Sequence, residues 1–224
     1  MRRPKSLFRQ RARKGTHRVD QYDPHDPRFV ALHEAGHAVS AVVLSLPLES
    51  VDIKRRRLTD GTDCVGFTAV KLRIEEIAGK GEEVARPWLI QQLTGAIAES
   101  LLNERIAEYD GDRDDIRALH RIAALAICGR VEADGRIVVD PAEIDRNRGR
   151  LNVAVKDAYQ AATDLVCAHL TALVEVANQL LRRKYLPGGD VAAIVHASIA
   201  PEPPDSLSAA REAARRIGCR YGAA

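Results

Sequence analysis

The segment FVALHEAGHAVSAVV, residues 29–43, constrains the fold more than any other stretch of the chain. It is apolar apart from His33, Glu34, His37 and Ser40, and helix punctuation brackets it. Asp26-Pro27 offers a capping carboxylate followed by proline at the first helical position. Pro47 sets the stop, so a helix from residue 27 to about residue 46 is predicted. A helix turns 100° per residue, so His33 and His37 lie one turn apart on one face. That face continues through Val30, Ala41 and Leu44, which points both histidines inward. Gly36 between them costs about 1 kcal/mol relative to alanine, and a closely packed neighbouring backbone would explain it.

Two imidazoles at this spacing can bind one tetrahedral zinc, and Glu34 can act on a water at the open position. Ordinary helix residues also match a five-letter pattern now and then, so the surroundings must decide. A catalytic zinc held by two histidines still needs a third protein ligand, and two carboxylates compete for that place. Glu99 sits mid-helix among Ala96, Ala98 and Leu101, a packed setting suited to bracing a histidine through its other ring nitrogen. Asp115 falls in the first turn of a helix, where its plain reading is a carboxylate favoured by the helix dipole. Asp112 and Asp114 suit the cap and the dipole, and only one of Asp114 and Asp115, about 100° apart, can face a metal. His17, His25, His120, His169 and His196 have no ligand spacing and read as surface or core residues.

Aromatic residues make up only 4% of the 224, while Ala, Leu, Val and Ile abound, which favours helix-on-helix packing and a mainly α fold. Cys64, Cys128, Cys167 and Cys219 form no CxxC pair, so a reduced, cytoplasmic protein is expected. Residues 1–18 carry eight basic side chains and no acid, which leaves the rest of the chain at −5 within an overall charge of +3. Such a run reads as a solvated tail over residues 1–26, with an anionic partner as its functional alternative. No stretch reaches the roughly 18 consecutive apolar residues that span a bilayer.

After the first helix, ESVDIKRRR (49–57) and DCVGFTAVKL (63–72) read as two strands about a turn. A helix over 82–106 follows, with Gly95, Ala96 and Ala98 as a small-residue patch for close approach to another helix. A further helix is predicted over 110–128, then a hairpin about Asp134-Gly135, then one long helix or two over 140–184. LPGGDVAAIVHASI closes a compact unit over residues 27–199, and the proline-rich APEPPD begins a linker and short helix over 200–224.

The order of these elements resembles the peptidase domain of the FtsH family, the zinc proteases coupled to an AAA ATPase. ALHEAGHAVSAVVL, LESVDI and VGFTA carry the likeness, with LTGAIAESLL near the family's Gly-Arg-x-Ala-Glu-Glu. GDRDDI stands where the family has Gly-Ala-Ser-Asn-Asp, and YLPGGDVAAIV resembles its closing element. Ala96 and Ser100 depart from the family's Arg and second Glu, and no GxxxxGK[ST] phosphate loop exists. The resemblance implies a helical, zincin-like peptidase domain without the motor, with a small hairpin or sheet near the HExxH helix. It makes His33 and His37 zinc ligands, Glu34 the general base and, through GDRDDI, Asp115 the third ligand, with Glu99 behind a histidine. Val65, Gly66, Phe67 and Thr68, read from the residues themselves, offer an edge that pairs with substrate backbone, with a plain strand as the equal alternative. The expected activity is ATP-independent hydrolysis of peptide bonds in flexible polypeptides. A homo-oligomer is implied by the family's hexamers, although much of their ring contact is made by the ATPase part. The competing expectation is a non-catalytic, zinc-stabilised interaction module, or a subunit that works beside a separate ATPase.

Overall fold

The computed structural model describes residues 26–57, 63–102, 114–198 and 209–212. Helix α1 (Pro27–Val43) starts as the sequence predicts: the Asp26 carboxylate accepts from the Arg28 amide at 2.9 Å, and Pro27 occupies the first position. It ends three residues before the expected stop. Ser45 takes a left-handed conformation (φ 57°), with Leu46 N–H bonded to Ala41 O and Ser45 N–H to Val42 O. That pair of bonds is a Schellman cap, here built on serine rather than glycine.

Strand β1 (Leu48–Asp52) follows, and the expected strand over 49–57 breaks there. The Asp52 carboxylate accepts from the Lys54 amide at 3.1 Å and pairs with Arg56, which turns the chain out of the sheet. Short β2 (Arg56–Arg57) pairs with β3 (Asp63–Cys64), and β4 (Phe67–Val70) resumes after Val65-Gly66. Helix α2 (Glu82–Glu99) is shorter than the predicted 82–106, whose last residues lie outside those described. Helix α3 (Asp114–Cys128) leads into the hairpin β5 (Gly129–Val131) and β6 (Ile137–Val139), where Gly135 supplies a positive φ of 81°. The stretch over 140–184 is two helices, α4 (Pro141–Ala168) and α5 (Leu170–Arg183), bent by 78° at His169. Strand β7 (Tyr185–Pro187) and helix α6 (Gly188–Ala197) close the described part of this unit.

The protein is mainly α with a small antiparallel sheet of order β4-β1-β7. Val51 of β1 sits opposite Thr68 of β4 on one side and Leu186 of β7 on the other. Helix α1 runs through the middle, packed against α2, α5, α6, β1 and β4. It has no polar face: Val30 to Leu32 and Glu34 to Ala41 are all buried, as a helix enclosed on every side must be. Leu89, Leu173 and Leu180 fill the core around it, packed with its own Val39. Residues 209–212 dock on the end of α2, with Ala210 buried and Arg211 Nε donating to Ser100 O at 3.2 Å. Residues 1–25, 200–208 and 213–224, the basic tail and most of the expected linker and terminal helix, lie outside the described residues. Among those described, no single helix is long and apolar enough to cross a membrane.

Candidate metal centre

Helix periodicity puts His33 and His37 on one side of α1, and α2 crosses that side closely. Gly36 is the crossing point, because a Cβ there would collide with Thr94 O of α2 and sit 2.9 Å from the Ala98 Cβ. On α2, Gly95 faces the rings. A Cβ at Gly95 would strike His37 Nε2 and lie 2.9 Å from His33 Nε2. Both glycines are therefore required by close approach.

The two rings are held from behind by acceptors. His33 Nδ1 lies 3.0 Å from Glu99 Oε2, and His37 Nδ1 lies 2.7 Å from the main-chain oxygen of Gln91. Carboxylate and carbonyl oxygens only accept, so each Nδ1 carries the hydrogen and each Nε2 of a neutral ring presents a lone pair. Thr94 Oγ1 donates to the same Gln91 carbonyl at 2.8 Å and lies 2.8 Å from Ser40 Oγ, which fixes the helix pair behind the rings.

Those lone pairs converge. The two Nε2 atoms are 3.0 Å apart, and Asp115 Oδ2 is 2.9 Å from the first and 3.4 Å from the second. Three acceptors facing one another repel unless a cation sits among them. Bonds of about 2.0–2.2 Å at tetrahedral angles place donor atoms roughly 3.3 Å apart, so the spacing fits one zinc-sized ion. His33, His37 and Asp115 form a group able to hold a metal, their donor atoms all within 4.8 Å of one another.

The electrostatics agree with the geometry. Burial opposes charge on His33, but Asp115 and Glu99 outweigh it and hold its pKa up at about 10. Burial likewise pushes against ionising Asp115, yet the two histidines win and hold its carboxyl far below the usual range. The cluster attracts a cation, whether proton or metal. Glu34 is different: burial raises its carboxyl above the ordinary value, only partly offset by His33, His37 and the Thr68 hydroxyl.

Of the predicted residues, His33, His37 and Asp115 meet at one point, Glu34 stands beside them on α1, and Glu99 backs His33. Gly66 and Thr68 touch Glu34 itself, while Phe67 is half exposed and lies under the Arg56 guanidinium, 5.6 Å from ring centroid to Cζ. Val65 is half-buried just before β4. Sequence reasoning missed the Gln91 carbonyl, which carries no side-chain signature, and the Ser40–Thr94 pair. Spacing could have flagged that pair, since Ser40 lies seven residues beyond His33 on the helix side turned to α2. Comparison with known proteins finds no family model and no curated protein that matches this chain.

Proposed function

We propose that this chain is a zinc-dependent peptidase resembling the FtsH peptidase domain, acting without ATP on flexible polypeptides. The observation that carries the reading is the convergence of two imidazole lone pairs and one carboxylate oxygen, with both Nδ1 atoms already committed and Glu34 alongside. His33, His37 and Asp115 would hold the metal, leaving room for a further ligand. The donor set alone also suits ferrous iron, and the buried glutamate next to the first histidine favours hydrolysis with zinc. Bound there, zinc would supply positive charge that acidifies water and polarises a carbonyl.

The protein's own residues do the rest. Glu34 takes a proton from water and returns it to the departing amine, and its raised pKa suits it to both steps. Strand β4 is an edge strand of its sheet, so among the described residues one side of its backbone is open to an extended substrate. Val65 and Phe67 would meet substrate side chains. The sequence carries no phosphate loop, so this reading assigns no ATP-driven unfolding to these residues themselves and takes chains already loose as their substrates.

The test is turnover of unstructured polypeptides by the zinc-loaded chain, with and without ATP, against Glu34→Gln at equal zinc content. Removing a general base should lower kcat by about 10²- to 10⁴-fold. Cleavage by Glu34→Gln at the wild-type rate, or no cleavage by the zinc-loaded wild type, would overturn the reading.

A further inference from the structure

Gly66 and Thr68, on the edge expected to pair with substrate, also lie against the Glu34 side chain. Thr68 Oγ1 donates to Glu34 Oε2 at 2.6 Å and also lies 3.2 Å from the Glu34 main-chain oxygen. A Cβ built on Gly66 would come within 2.6 Å of Glu34 Oε1 and 2.7 Å of its Cγ. Glu34 is thus held by a hydroxyl at one oxygen, with bare backbone pressed against the other. A carboxylate turns about a soft sp³–sp² bond with a broad profile, so nothing within Glu34 itself fixes where its free oxygen points. Burial adds a second need, because an unpartnered oxygen there would be costly.

We propose that Thr68 and Gly66 form a clamp that aims the Glu34 carboxylate, with Thr68 as a positioning residue. The hydroxyl binds Oε2, and Gly66 leaves just enough space for Oε1 to face the reacting water. This rests on the reading of Glu34 as the base. Thr68 belongs to edge strand β4, so the element that would pair with substrate is also the element that sets the base.

The test uses the zinc-loaded full chain and three variants. Thr68→Val keeps the shape and removes the donor; Thr68→Ser restores it; Gly66→Ala fills the space beside Oε1. A base misplaced by about 1 Å costs on the order of 100-fold. Thr68→Val and Gly66→Ala should therefore lower kcat by about 10- to 100-fold with KM and zinc content unchanged. Thr68→Ser should recover to within about threefold of wild type, the hydroxyl being the group that matters. Crystal structures should show the Glu34 carboxylate rotated in the first two variants and in place in the third. A rise in KM at unchanged kcat in Thr68→Val would make Thr68 a substrate contact and overturn the clamp. If the wild type cleaves nothing, the peptidase reading fails, and an unmoved Glu34 in the Thr68→Val and Gly66→Ala structures would overturn the clamp as well.

Discussion

The two histidines and Asp115 reach one point from unlike surroundings. The His37 ring is buried against α2, His33 is nearly so, and each Nδ1 bonds to an oxygen on that helix while Gly95 lies against both Nε2 atoms. Asp115 approaches from the first turn of α3, with 28% of its side chain exposed. One half of the site is set by the helix core. The other half is a single carboxylate on a helix start. The core half should decide whether a metal binds at all, and the surface half how tightly.

The largest effect should come from removing the core half. His33→Ala with His37→Ala should abolish zinc binding, and metal analysis of the purified double variant should find none. Full zinc in that variant would break the comparison. Next comes Asp115→Ala, which should weaken zinc by more than about 100-fold, beyond the range typical of residues that only orient a ligand. Competition with a chelator of known affinity measures this. Gly95→Ala probes the core half without touching a ligand. Its methyl group must displace both rings, so zinc should bind about 10-fold more weakly and unfolding should cost about 1–3 kcal/mol less. Denaturant melts of the metal-free and zinc-loaded forms separate the two effects. Glu99→Gln should be mildest: the amide oxygen still accepts from His33 Nδ1–H, but the negative charge is gone. Zinc affinity or activity should fall by about 10-fold, the lower end for such partners.

The core half was largely legible in the sequence because local rules write it. Asp26-Pro27 marked the helix start, four-residue spacing put His33 and His37 together, and Gly36 signalled a close neighbour that proved to be the Thr94 carbonyl. The surface half was not. Residue types at 110–116 fit a plain helix start, and only the resemblance singled out Asp115. The break at His169 has no glycine or proline to announce it, and beyond it α5 packs against α1. Strand β7 escaped notice because three residues, Tyr185 to Pro187, form a strand only by pairing with β1, far away in sequence. Asp52 shows the same limit: its turn-forming carboxylate ends a strand that the apolar pattern would have carried on to Arg57.

The central claim, that Asp115 and not Glu99 completes the metal site, is tested most directly by a crystal structure of the zinc-soaked protein with anomalous data at the zinc edge. The account predicts one zinc bonded to His33 Nε2, His37 Nε2 and an Asp115 oxygen at about 2.0–2.2 Å, with Glu99 remaining on His33 Nδ1. A Glu99 oxygen at bonding distance from zinc, with Asp115 remote, would contradict it.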